Sequence, residues 1–197
     1  MPREWKTAPD PVASPRRIAV VGVSGSGKST LATRLASRLE LVHLELDSLQ
    51  HQANWTPLPP ARFRERVDRF TSTHDAWVVD GNYGVVRDLV WGRADTVVWL
   101  DLPRWKVMGQ LLHRTTRRWL HREELWNGNR ESIDNFIYLW DPDRSLLAWA
   151  WTQHAVYRRT YASALTDPRW SGIRFVRLQD RAAADRWMAG LGRPEIN

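Results

Sequence analysis

The chain contains no cysteine. Disulfides are therefore excluded, and so are metal sites built on thiolates. Long apolar runs are missing too. No segment approaches the roughly 18 unbroken apolar residues that a membrane span needs, so no membrane partner is expected. The opening MPREWKTAPDPVASPRR carries charge and four prolines but no apolar stretch, and it does not read as a secretory signal. Together with the absence of cysteine, this gives a cytoplasmic expectation. No internal repeat interrupts the sequence.

What is present suits one domain. With 197 residues and 43% apolar composition the chain can bury one sizeable core. Residues 1–15 read as a flexible tail and 16–197 as a single domain. The net charge of +7 is unevenly spread. Residues 103–130 hold Arg104, Lys106, Arg114, Arg117, Arg118, Arg122 and Arg130 against only Glu123 and Glu124. A focused positive patch suits a polyanion, whether a nucleotide triphosphate or a nucleic acid. Thirteen tryptophans are unusual, and most are expected as packing residues.

Strand and helix patterns alternate along the chain. RIAVVGV (Arg17 to Val23) is a β-branched run that stops at glycine and serine, as a buried parallel strand does. Leu31, Leu35 and Leu39 then recur every four residues, predicting an amphipathic helix from Lys28. HLELD, WVVD, TVVWLDL and RFVRL predict four further strands, the second strand ending at Asp47, with helical patterns between them. Pro60 and Pro103 suit first helical turns. Five strands alternating with helices imply an α/β fold: a parallel sheet covered on both faces.

The most specific signal is GVSGSGKST. Gly22, Gly27, Lys28 and Ser29 fit the pattern GxxxxGKS/T without a gap, and the match follows a predicted strand and opens a predicted helix. Glycines let such a loop curl so that its N–H groups face phosphate oxygens, and the helix start adds its positive dipole end. Gly22, Ser24, Gly25, Ser26, Gly27, Lys28, Ser29 and Thr30 are thus expected to cradle phosphates. Lys28 would reach the outer phosphates, and the Ser29 hydroxyl would ligate Mg²⁺. ATP and Mg²⁺ are the expected cofactors. Mg²⁺ takes further oxygen ligands, some through water. Asp47, Asp80 and Asp101 all fall at predicted strand ends, where parallel sheets line their ligand crevice. Asp80 is the first choice beside Ser29 for the metal. Asp101 also reads as a cap before Pro103. Asp47 could accept a proton from an acceptor hydroxyl, bind that acceptor or share the metal.

Further along, QLLHRTTRRWLHR puts Arg114, Arg117 and Arg118 at i, i+3 and i+4 on one helical face. Phosphoryl transfer uses such groups, because charge spreads over the equatorial oxygens as the bond loosens. HREELWNGNRESIDN, with Arg122, Asn127, Asn129 and Arg130, reads as a mobile insertion able to close over phosphates and exclude water.

Taken together, the chain resembles the nucleoside-monophosphate-kinase branch of P-loop proteins, the adenylate-kinase-like and shikimate-kinase-like group, over residues 17–191. ELDSLQHQANWTP, WVVDGNYGVVRDLVW and REELWNGNRES are similar to stretches of the bacterial adenylate-kinase-like proteins also called DNA topology modulation proteins. The resemblance implies sheet order 2-3-1-4-5, an acceptor-binding region at about 48–75 and a lid at about 119–145. Asp80-Gly81 matches the Asp-Gly that ends the third strand in adenylate kinases. Those enzymes continue Phe-Pro-Arg, whereas here Asn82-Tyr83-Gly84 follows and the nearest arginine is Arg87. Arg114 or Arg118 would match the arginine near the lid that packs on adenine, and Arg122 and Arg130 the lid arginines.

The resulting expectation is an ATP- and Mg²⁺-dependent phosphotransferase. Lys28, Asp47, Arg114 and Arg118 would be catalytic, and Arg114, Arg118, Arg122 and Arg130 would hold the donor. Asp47, Trp55, Asp80, Asn82, Tyr83 and Arg87 would hold a small acceptor, a nucleoside monophosphate being the leading single candidate. The alternative is a nucleotide-dependent ATPase or switch that acts with a nucleic-acid or protein partner.

Overall fold

A computed structural model describes residues 14–192. The flexible tail expected over residues 1–15 therefore lies almost wholly outside the described residues. Five strands, β1 (Arg17–Val21), β2 (Val42–Glu45), β3 (Trp77–Asp80), β4 (Thr96–Leu100) and β5 (Arg174–Leu178), form one sheet in the order β2-β3-β1-β4-β5. All four pairings are parallel. Every residue of β3 and β4 is buried, as expected for strands covered on both faces.

Alternation along the strands sorts two cores. Ile18 and Val20 pack with α1 (Lys28–Leu39), α5 (Arg104–Leu120) and α8 (Arg181–Ala189) through Leu31, Leu35, Val107, Leu111 and Trp187. Ala19 and Val21 face the other way, against α3 (Pro60–Thr73) and α4 (Arg87–Arg93) through Phe63, Val67, Val90 and Trp91. The long helix α7 (Leu146–Ala164), which follows the single turn α6 (Asp134–Ile137), reaches both cores, giving Leu147 and Ala150 to one and Tyr161 and Ala164 to the other. Because the strands are parallel, their C-terminal ends share one edge, and the chemistry-bearing loops gather there.

One strand is shorter than its sequence suggests. HLELD reads as a strand through Asp47, yet β2 stops at Glu45 and a short helix, α2 (Leu46–Gln50), begins at once. The cause is Leu46, which is buried and turned onto the end of β3; a Cβ at Gly81 would lie 2.7 Å from its Cβ. Asp47 thus rides on the first turn of α2, and the strand-end carboxylate is Glu45.

The loop between β1 and α1 is pressed from above by α5. Gly25 has φ +85°, and a Cβ there would stand 2.8 Å from Leu111 Cβ and 3.0 Å from the Val107 carbonyl oxygen. Val107 and Leu111 are themselves buried, so the helix has no room to retreat. Gly25→Ala is therefore expected to destabilise the fold by about 2 kcal/mol, from overpacking together with left-handed strain. Gly84→Ala, with open space around its Cβ and no left-handed φ, is expected to stay within about 0.5 kcal/mol. Urea unfolding of the two variants checks the contrast.

Candidate active site

The Gly22–Gly27 loop is gripped at its start from β3. Asn82, just beyond that strand, donates through its side-chain amide to the Gly22 carbonyl and accepts from the Gly22 N–H at 3.1 Å. Tyr161 of α7 donates to the same Asn82 oxygen at 2.8 Å. Gly27, left-handed at φ 92°, then turns the chain into α1. Lys28 follows, with its ammonium donating to the Val23 carbonyl at 3.3 Å. Burial lowers the Lys28 pKa and nearby Arg114 lowers it further, while Asp47, Asp80 and Glu45 oppose that shift. The loop lysine is therefore the centre of a cluster in which three carboxylates and a guanidinium feel one another.

Ser29, one residue on, donates to Glu45 Oε1 at 2.8 Å. The other oxygen of that carboxylate accepts from the indole N–H of Trp126 at 2.8 Å. Asp80 lies behind, buried, with its Oδ2 3.3 Å from His43 Nε2. The Ser29 hydroxyl and the Glu45 carboxylate are hard-oxygen donors of the kind Mg²⁺ takes alongside phosphate oxygens and water, and among the described residues no group of three acidic or histidine side chains is placed to hold an ion by itself. The residues fit the ion. The carboxylate in contact with Ser29, however, is Glu45, whereas the sequence had pointed first to Asp80.

On the other side of Lys28, Asp47 Oδ1 accepts from the Tyr83 hydroxyl at 2.6 Å, and that hydroxyl is 3.3 Å from His51 Nε2. Burial first, and then the Asp47 carboxylate, push the Tyr83 pKa up, so its proton stays on oxygen and is directed at Asp47. His51 stacks on Trp126 with ring centroids 5.7 Å apart and meets the edge of Trp55 at 5.2 Å. The neighbourhood of Asp47 is aromatic.

The guanidiniums come from α5. Arg114 donates to Ser24 inside the loop at 3.3 Å, while its Nε is buried with no hydrogen-bond partner. Its pKa is lowered, first by burial and then by Arg118. Arg118 stands 3.6 Å from Glu131 and 3.9 Å from Glu123, and its Nε is likewise buried without a hydrogen bond. Arg117 pairs with Glu123 at 3.1 Å. Two adjacent guanidiniums with unsatisfied, desolvated donors are costly unless an anion answers them.

These groups line one cleft of about 1120 Å³. Lys28, Ser29, Asp47, Trp55, Arg114 and Arg118 are brought together on its wall, along with Ser24, Gly25, Gly27 and Thr30. Several expected residues do not line it. Asn82 and Tyr83 brace Gly22 and Asp47 from beneath, and Asp80 lies under them. Arg87 lies by Trp91, 5.6 Å from its ring centre, and lines a separate groove of about 510 Å³. Arg122 and Arg130, expected to hold the donor, are exposed and outside the cleft lining. Asp101 forms ion pairs with Arg158 (3.1 Å) and Arg177, a structural role other than the cap its position suggested.

Sequence reading passed over Glu45, His51, Trp126, Arg144 and Arg181, all on the cleft wall. Glu45 ends the edge strand β2, a position hidden in the sequence because the strand-like pattern runs on to Asp47. For the others no local pattern announces the role.

The fold and this loop define the class: a P-loop NTPase with a five-stranded parallel sheet in the order 2-3-1-4-5. More narrowly, the chain belongs to the AAA domain family, which residues 18–122 match. Across 183 residues it is 25% identical to "Uncharacterized protein YqaC" of Bacillus subtilis (strain 168), covering 92% of this chain and 86% of that protein. Among solved structures, a gluconokinase from Sinorhizobium meliloti 1021 superposes with TM-score 0.51 at 21% identity, over 91% of this chain and 93% of that one. A shikimate kinase from Bacteroides thetaiotaomicron gives TM-score 0.47 at 14% identity, over 89% and 95%.

The grip on Gly22 predicts a variant effect. Asn82→Ala leaves both Gly22 backbone groups and the Tyr161 hydroxyl without their partner, a loss of about 2 kcal/mol in stability. Nucleotide affinity is expected to fall with it, because the loop start is released. Chemical unfolding and a nucleotide titration on the same variant read the two effects.

Proposed function

We propose that this chain is an ATP- and Mg²⁺-dependent phosphotransferase acting on a small hydroxyl compound. One observation carries the reading. The phosphate loop, two partly unsatisfied arginines and the Asp47 carboxylate share a single cleft. A nucleotide-binding site alone has no use for a carboxylate held opposite its lysine by a tyrosine.

In this reading Lys28 and the loop amides hold the outer phosphates. Ser29 and Glu45, with Asp80 behind them, would hold Mg²⁺, which when bound neutralises charge on the phosphate oxygens. Arg114 and Arg118 complete their unmet hydrogen bonds on the transferring group as its charge spreads. Asp47 takes the proton of the acceptor hydroxyl. The acceptor oxygen then bonds to the terminal phosphorus, the bond from that phosphorus to the bridging oxygen breaks, and ADP leaves with the electron pair. Tyr83 keeps Asp47 oriented for this task.

The acceptor side bears on substrate class. Asp47, His51, Trp55 and Trp126 supply a carboxylate and aromatic surface, and Arg87, the arginine that would grip an acceptor phosphate, lies outside the cleft lining. That chemistry favours an acceptor without a phosphate over a nucleoside monophosphate. It also weakens the nucleic-acid reading, because Arg114, Arg117 and Arg118 face the cleft, with Arg117 paired to Glu123 and Arg118 to Glu131.

Terminal-phosphate-labelled ATP is to be incubated with Mg²⁺ and pooled nucleosides, sugars, hydroxy acids and nucleoside monophosphates. Label is expected in a phosphate-free hydroxyl acceptor, lost with Lys28→Ala and reduced roughly 10³-fold with Arg114→Ala. Label found only in inorganic phosphate, unaffected by Asp47→Asn, would sink the transferase reading in favour of a hydrolytic switch. Transfer confined to nucleoside monophosphates would overturn the acceptor class alone.

A further inference from the structure

Two short turns meet at the mouth of the cleft, one in the acceptor loop (Ala53–Trp55) and one in the segment between α5 and α7 (Trp126–Gly128). Their backbones are joined by side chains of the second segment. Asn129 accepts from the Trp55 N–H at 2.8 Å and donates to the Gln52 and Trp126 carbonyls at 2.9 Å. Asn127 donates to the His51 carbonyl, and the Trp55 indole donates to the Arg130 carbonyl at 3.1 Å. Asn54, Trp55, Asn127 and Gly128 all take left-handed φ values between 56° and 76°. Asparagine tolerates this region but tryptophan does not, so at Trp55 these contacts hold a backbone shape the residue would not favour alone.

Trp126 enters deepest. One face of its indole stacks on His51 while its N–H reaches Glu45, the carboxylate that holds Ser29. Ser29 and Glu45 are the groups that would hold the divalent cation. A single side chain of the mobile-lid region therefore ends on the metal site, and with one carboxylate oxygen taken by Ser29 and the other by Trp126, neither end of Glu45 is free to swing.

We propose that Trp126 is a positioning residue that makes use of the metal ion depend on lid closure, by fixing Glu45 through its indole N–H. The proposal rests on the phosphotransferase reading only as far as nucleotide and metal binding. With the segment docked, Glu45 is held toward Ser29 and the cation is bound in an oriented site. With it released, Glu45 rotates away and the cation loses one oxygen ligand or the water that ligand holds. Productive metal binding is then confined to the closed state, in which bulk water is excluded from the phosphates.

The test needs no acceptor. A non-hydrolysable ATP analogue is titrated calorimetrically with saturating Mg²⁺ and again with chelator, and the ratio of the two affinities measures how strongly metal and nucleotide support one another. Trp126→Phe keeps an aromatic ring beside His51 and removes the N–H together with the smaller ring that bears it. It is expected to lower that ratio about tenfold, the size of one hydrogen bond to a charged group. Glu45→Gln is expected to lower it as well, and the double variant no further, because both changes cut the same link. Faster hydrogen exchange of the 125–130 amides in Trp126→Phe supplies a second readout, independent of the metal. An unchanged ratio in Trp126→Phe, or additive losses in the double variant, overturns the proposal while leaving the phosphate cradle intact. No binding of the analogue to the unaltered chain overturns both.

Discussion

The loop between β1 and α1 is held by two contacts, and the rest of the cleft depends on them. Asn82 fixes Gly22 at the loop's entry, and Leu111 of α5 lies against Gly25 at its crest. The first ties the loop to the sheet and, through Tyr161, to α7. The second carries the arginines: α5 can approach so closely only because position 25 has no side chain, and that approach puts Arg114 in contact with Ser24. A phosphate cradle and the guanidiniums that face it are thus placed by one backbone contact. Polar side chains at the loop would be an inefficient way to do the same, since each would lose rotamer freedom on folding.

The charge at this edge of the sheet is arranged as opposing demands. Partial burial disfavours the cationic form of Lys28, and Arg114 presses in the same direction. Glu45, Asp47 and Asp80 oppose that shift. The three carboxylates differ in what else they hold. Glu45 has Ser29 and Trp126, Asp47 has Tyr83, and Asp80 has His43. Each is oriented by its own neighbour, so the three need not perform the same task even though all lie near one ammonium. A bound triphosphate would add negative charge beside Lys28, Arg114 and Arg118, relieving the repulsion among those cations.

Much of this was legible in the sequence, for definite reasons. Sheet order follows from the resemblance, and strand and helix periods are strong because both faces of the sheet are buried. The loop declares itself because its glycines, lysine and serine must stand at fixed spacing for the chemistry. Glu45 was missed because Leu46, an ordinary apolar residue in a strand-like run, turns inward and ends β2 two residues early; that is a tertiary packing decision with no local signature. Arg122 and Arg130 misled because a lid arginine is recognised by where its turn points. Here the left-handed backbone at Arg122 (φ 48°) and the docking of the 126–129 turn leave both exposed. Trp126 was one of thirteen tryptophans, and nothing in its spacing separates it from those that fill the core.

The docking of that turn also bears on why the acceptor loop and the lid differ so little in character. Each holds a tryptophan beside an asparagine in a left-handed turn; Asn127 and Asn129 of the second segment satisfy backbone groups of the first, and the Trp55 indole of the first donates to the Arg130 carbonyl of the second. Polar groups buried between two segments cost free energy whenever they lose their partners, so each segment is best satisfied while the other is in place. A lid that closed on the phosphates alone would be indifferent to the acceptor loop. Here His51 meets both Trp55 and Trp126, so the aromatic surface beside Asp47 is built from the two segments together. In the phosphotransferase reading proposed above, their docking would couple the acceptor side of the cleft to exclusion of water from the phosphates, which is what separates transfer from hydrolysis.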